Sequence, residues 1–276
     1  MKRNTGFTLI ELLVVIAILA LLIAIIMPVL GKAKDHAQRL ICATNQGTVA
    51  KGVQIYADEF DGKLPTSCYN GGSSDYNPTQ TSSDEPWTSY VTYTIDTLRD
   101  FGSHIIDGPW GMGQLYQTNV IDEAKSFYCP AMPKYSRSAV VVNDYSYRYE
   151  AHIDEAGRWP WNNNEWAPLW VSASYYYAPF SKDKNERDLP AIAVKSSDLQ
   201  SASIMGFDII LDIGYMPHKI RMASGGGVNA FYGDGHVEYR NSSEAFDYIF
   251  DNSNWLSSMD SFNHHPEIFS EFLRML

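Results

Sequence analysis

Hydrophobic and polar positions divide this chain unevenly. Residues 12–30 form an unbroken apolar run of 19 residues without a charge. At about 1.5 Å per helical residue the run spans roughly 28 Å, close to the hydrocarbon thickness of a bilayer, and predicts a transmembrane helix. Beyond Gly31 the pattern changes: Cys42, Val49, Val53, Tyr56 and Phe60 recur at spacings of seven, four, three and four. These residues make one apolar stripe on a helix that continues to Asp61 and should face a sheet. Gly62 supplies the stop, with Pro65 just beyond it.

The remainder alternates between turn-rich and β-forming stretches. Residues 67–86 are dominated by Ser, Thr, Asn, Asp, Gly and Pro and read as a long surface loop. Strands are expected at 88–94, 140–149, 174–179, 204–211 and 228–232, with 174–179 on a boundary between core and solvent. A short helix is expected over 98–106, whereas Gly111-Met112-Gly113 reads as a loop. Alternating residues on both sides of Gly233-Asp234-Gly235 predict a hairpin that returns through 236–239, with the three as its structural turn. The tail from 243 to 276 reads as mostly helical, broken near Pro266. The fold class that follows is α+β: a long N-terminal helix packed on an antiparallel sheet.

Charge sharpens the division. Residues 1–51 carry six Lys/Arg against two Asp/Glu, leaving fifteen against thirty in the rest. An acidic domain of this kind disfavours nucleic acid and anionic lipid as partners. Lys2 and Arg3 ahead of the apolar run predict a cytoplasmic N-terminus and an exported domain. Three cysteines, Cys42, Cys68 and Cys129, cannot all pair within one chain. A bond between Cys68 and Cys129 is possible in an oxidising compartment, while Cys42 reads as a small apolar packing residue.

One residue breaks the apolar logic at the start. Glu11 is a carboxylate at the mouth of the membrane run, where an ionisable group calls for a partner or a function. It follows a basic leader ending in Gly6 and the stretch Phe7-Thr8-Leu9-Ile10. Together these residues resemble the N-terminus of type IV pilins and type II secretion pseudopilins. The resemblance implies cleavage between Gly6 and Phe7 by a prepilin peptidase and N-methylation of Phe7. It also implies that Glu11 neutralises the α-amino group of a neighbouring subunit and that the helix bends at Pro28. The parts are then a leader (1–6), a transmembrane helix (7–30), an exported amphipathic helix (31–62) and a globular α+β domain (63–276).

The implied protein is a single-pass inner-membrane subunit of a pseudopilus or pilus-related filament, structural rather than enzymatic. Its implied partners are the peptidase, other pilin-like subunits and membrane lipid. The alternative is an anchored extracytoplasmic binding module or hydrolase that borrows the export signal. Residues 55–65 further resemble the helix end of G-type pseudopilins. The last third resembles a C-terminal domain associated with processing in bacterial pilin-like proteins, through Gly225 to Val237. That family's His, separated from the Asp-Gly pair by nine residues, falls on Ser224 here, and the nearest His is His218.

Candidate chemistry is sparse. There is no nucleophile elbow, zinc-binding H-E-x-x-H or P-loop in the chain. Asp58, Glu59 and Asp61 could share a calcium ion, which takes six to eight oxygens at about 2.3–2.6 Å, but they read as a solvated helix end, and no cofactor is expected. His264-His265 reads as an exposed turn, and His236 with Asp234 and His218 as a turn rather than a metal site. Trp159, Trp161, Trp166 and Trp170 crowd one stretch; they could bind a sugar or a protein, and read better as a loop folded down by its aromatics.

Overall fold

The computed structural model describes residues 9–66, 91–94, 108–132, 149–160, 170–184, 190–199, 203–208, 227–242, 244–245, 247–248, 271–272 and 274–275. Helix α1 (Leu9–Glu59) is 51 residues long and continues through Pro28 unbroken. Its two halves live in different surroundings. Side chains at 9–37 are exposed, whereas Cys42, Gln46, Val49, Ala50, Gly52, Val53 and Ala57 are buried. The buried stripe advances by three or four residues and leaves the predicted one near its end. Ala57 takes the inward place, while Tyr56 is half-buried and Phe60, exposed, stacks on it at 4.3 Å.

The helix stops two residues short of Asp61. Asp61 (φ 54) and Gly62 (φ 78) both take left-handed backbone, and the Gly62 N–H donates to Ala57 O at 2.8 Å. That bond satisfies a carbonyl that the last helical turn leaves open.

Among the described residues the strands form three small sheets. Strands β1 (Val91–Thr94), β2 (Gly108–Pro109) and β3 (Trp170–Ser172) pair in the order β2-β1-β3. Strands β4 (Tyr175–Tyr177), β7 (Ile204–Asp208), β8 (Gly227–Tyr232) and β9 (Val237–Asn241) form the main sheet, antiparallel throughout, in the order β4-β7-β8-β9. Strands β5 (Phe180–Lys184) and β6 (Pro190–Ile192) make a separate ribbon. The arrangement is the expected α+β, pilin-like one: a long apolar N-terminal helix whose second half lies on β8 and β9.

Several local expectations change. Tyr175, Tyr176 and Tyr177 are fully buried rather than at a wet edge, because the sheet is covered on both sides. Tyr175 and Tyr177 join the core under α1, while Tyr176 packs on Phe207 at 5.0 Å and Phe207 on Phe272 at 5.9 Å. Strand β8 is buried at all six positions for the same reason, so its alternation does not sort wet from dry. Gly111 (φ 46) does not sit in a loop alone but caps a short helix, α2 (Met112–Gln117). Tyr149 opens a 3-10 turn, Tyr149–Ala151, rather than closing a strand. The expected helix at 98–106, the loop at 67–86 and most of the expected strand at 140–149 lie outside the described residues. In the tail, 244–245, 247–248, 271–272 and 274–275 are helical.

The cysteine expectation is overturned. Cys129 is bonded to Cys42, with S–S 2.04 Å and a sequence separation of 87. Cys68 lies outside the described residues. Cys42 sits on the buried face of α1 and Cys129 just after the 3-10 turn Ala124–Phe127, which packs on the same helix. Spacing along the chain carried no trace of this contact.

Candidate functional site

The functional segment begins as sequence chemistry and ends as an exposed surface. Leu, Ile, Val and Ala favour helix or tolerate it, and with no polar interruption between Leu12 and Leu30 the rod has no water-facing side there. An 18-residue stretch of α1 has a mean hydropathy of 3.3, and none of it is buried by the rest of the chain. An apolar surface of that extent marks a membrane or a protein partner. Glu11 lies in the first turn of α1, exposed and at the end of the run. Pro28 sits inside the helix near the other end. Gly6 and Phe7 lie outside the described residues.

Residues 1–27 match the prokaryotic N-terminal methylation motif. This is a type IV pilin-like prepilin segment, and it includes Gly6, Phe7 and Glu11. The segment and the apolar helix fit a membrane-anchored single-pass protein, and they imply processing by prepilin peptidase and pilin-like subunits in general. No curated protein and no solved structure matches the chain.

Where the prepilin helix meets the domain, a polar cluster replaces the expected apolar contact. Asp208, fully buried at the end of β7, accepts from Gln46 Nε2 at 2.8 Å, from the Asn229 backbone N–H at 2.8 Å and from Asn229 Nδ2 at 3.2 Å. A buried carboxylate is tolerated because these donors replace water. Asn45, next to Gln46 on α1, donates through Nδ2 to Tyr128 O at 2.9 Å. Burial of Tyr175, and then the charge of Asp208, push its phenol well above its ordinary range. Sequence reading missed the cluster, although Gln46 in the middle of an apolar stripe was the available signal.

The C-terminal hairpin packs against the same helix. Gly235 has φ +88, its N–H donates to Tyr232 O at 2.9 Å, and Gln54 Nε2 reaches Gly233 O at 3.4 Å. Three-residue hairpin loops place a left-handed residue at this position, which glycine fills without strain. His236 stacks on Tyr232 at 4.1 Å and its Nδ1 meets the Asp234 carboxylate. The His236 backbone N–H, and then its ring, hold the Asp234 carboxyl below its usual range. His218 and Ser224 lie outside the described residues, as do His264 and His265.

Asp58, Glu59 and Asp61 are exposed at the helix end. Among the described residues, Cys42, Cys129 and Asp208 are the side chains with metal-ligating atoms close together, and the two sulfurs are bonded to each other. Of the tryptophans, Trp159 is buried and donates through Nε1 to the Tyr128 hydroxyl at 2.9 Å. Burial pushes the Tyr128 phenol far above its ordinary range, so it stays protonated. Trp159 also meets Tyr116 edge-on at 4.8 Å, which anchors the start of the Trp-rich stretch to the core. Trp161 and Trp166 lie outside the described residues.

Proposed function

We propose that the chain is a structural subunit of a filament of the type II secretion pseudopilus or type IV pilus class, with no catalytic role of its own. The N-terminus is cytoplasmic and the domain extracytoplasmic. The observation that carries this reading is the position of Glu11 on an exposed apolar helix within a prepilin segment. Cleavage after Gly6 leaves an α-amino group at Phe7 with a reference pKa of about 7.7–8.0, largely cationic near neutrality. A carboxylate or an ammonium costs about 2.5–3.5 kcal/mol at a helix centre on insertion scales. Pairing Glu11 of one subunit with the Phe7 amine of the next relieves both, and the same apolar surface packs helix on helix.

Two measurements test the reading. Mass spectrometry of membrane-extracted protein should find a mature chain starting at N-methylated Phe7; an intact Met1 in cells containing the peptidase would refute it. Glu11→Ala should leave insertion and cleavage intact but abolish the ladder of cross-linked multimers. Equal ladders for wild type and variant would refute the Glu11 pairing, and the lack of a ladder for wild type would favour an anchored module that never assembles.

A further inference from the structure

Helix α1 carries a short basic stretch between its apolar run and the domain. The run ends at Leu30. The domain takes hold at Gln38, whose Nε2 donates to Pro130 O at 3.2 Å, and at Arg39, whose guanidinium lies over the Tyr239 ring at 5.2 Å. Residues 31–37 are exposed and include Lys32 and Lys34. Among the described residues neither lysine forms an ion pair. At about 100° per residue, two positions place these side chains on nearly opposite sides of the helix, so their ammonium groups flank it.

The headgroup layer is about 5–8 Å deep on each side of a hydrocarbon core of about 30 Å. At about 1.5 Å per residue, Lys32 and Lys34 stand about 3 and 6 Å beyond the apolar end, inside that layer, and Gln38 about 12 Å beyond it, just outside. Charge changes sign over the same distance. Residues 31–39 hold Lys32, Lys34 and Arg39 against Asp35, with His36 neutral at pH 7, whereas 52–276 hold fifteen Lys/Arg against thirty Asp/Glu. A domain so acidic, held within a Debye length of about 8 Å from an anionic surface, is repelled by it. The two lysines stand between domain and surface with the opposite sign.

We propose that Lys32 and Lys34 form a collar that binds the phosphates of anionic phospholipids. Their stems lie along the end of the apolar run and their ammonium groups donate to phosphate oxygens. Asp35 lies three positions from Lys32 and four from Arg39, so it shares a face with those two and leaves Lys34 uncompensated. Lys51 is exposed on the same helix but about 32 Å beyond the run, several Debye lengths from any headgroup. By holding every helix at one depth, the collar keeps each Glu11, about 32 Å away at the other boundary, at a common height. That consequence, and the leaflet the collar meets in the cell, rest on the filament and orientation proposed above; the binding itself does not.

The test uses the full chain in phosphatidylcholine vesicles, where both leaflets are alike, with spin-labelled phosphatidylglycerol or phosphatidylcholine as probe. The motionally restricted fraction gives the relative affinity of the two lipids. Each lysine near an anionic surface is worth about fivefold, so the average over all lipids around the helix should favour phosphatidylglycerol at least about threefold. No preference overturns the collar. Lys32→Gln with Lys34→Gln should cut the preference at least about twofold, any remainder belonging to Lys2 and Arg3 at the other end. Lys32→Arg with Lys34→Arg should keep it, and so should Lys51→Gln. An unchanged preference in the double Gln variant, or an equal loss in Lys51→Gln, refutes the assignment. The wild type gives a second reading, since high salt should erase the preference, and its persistence would count against the proposal. Inorganic phosphate in place of chloride at equal ionic strength should change nothing; selective loss of the preference would mean a site for free phosphate instead. If the double Gln variant also loses its cross-linked ladder in pure phosphatidylcholine, the partner is the acidic domain of a second copy and the lipid collar is overturned. Protease digestion of spheroplasts reports the domain's side of the membrane separately: a protected domain refutes the orientation, while the lipid ratio still judges the collar.

Discussion

A methyl group at Gly206 should nearly unfold the globular domain. An ideal Cβ there would stand 2.1 Å from the Tyr176 carbonyl oxygen and 2.3 Å from Phe231 Cζ. The first neighbour is backbone of the paired strand β4, so it cannot rotate away; relief requires β4 and β7 to separate by about 1 Å, since ordinary contacts begin beyond about 3 Å. Overpacking of this kind costs about 1–3 kcal/mol, and stretching the ladder around the Tyr177–Gly206 pair adds about 0.5–1.5 kcal/mol per hydrogen bond. The sum is about 3–5 kcal/mol for Gly206→Ala, against whole-domain stabilities of about 5–15 kcal/mol. Urea titration of the full chain in detergent, followed by tryptophan fluorescence, should show a midpoint lower by on the order of 1–2 M. Gly31→Ala is the control: no atom lies within 4 Å of its ideal Cβ, and in a helix the same change favours order by about 0.5–1 kcal/mol. A Gly206→Ala midpoint within experimental error of wild type would refute the close strand approach.

Three further outcomes follow from the described contacts. Replacing Cys42 and Cys129 together by Ala should lower stability by about 4–5 kcal/mol in the same titration, because their bond closes a loop of 87 positions. Gly235→Val should lower the melting temperature by several degrees, since φ +88 resists a branched side chain and Gln54 lies 2.9 Å from the added Cβ; His236→Ala should cost little, and chelator should change neither melt. Asp154 is held below its usual range by the Arg158 backbone N–H first and the Arg158 side chain next. Its contribution is therefore present above about pH 4 and lost as pH falls through the folded value; Asp154→Asn should be less stable than wild type at pH 6 and indistinguishable from it near pH 2.

The prepilin segment and the apolar helix were legible in one dimension. A bilayer tests length and apolarity, both of which are local, so 12–30 could be read without neighbours. The helix stop near Gly62 and the Gly233–Gly235 hairpin were legible for the same reason: left-handed backbone has a residue signature. Burial was not. Tyr175 to Tyr177 and β8 looked half-wet because alternation reports one covered face, and only the tertiary structure places Phe272 over the second. Nor could spacing choose among three cysteines, since Cys42 and Cys129 meet only because the 3-10 turn before Cys129 packs on α1. Asp208 and Gln46, 162 positions apart, show the limit most plainly. A buried carboxylate is defined by the donors that replace its water, and those donors are assembled by folding.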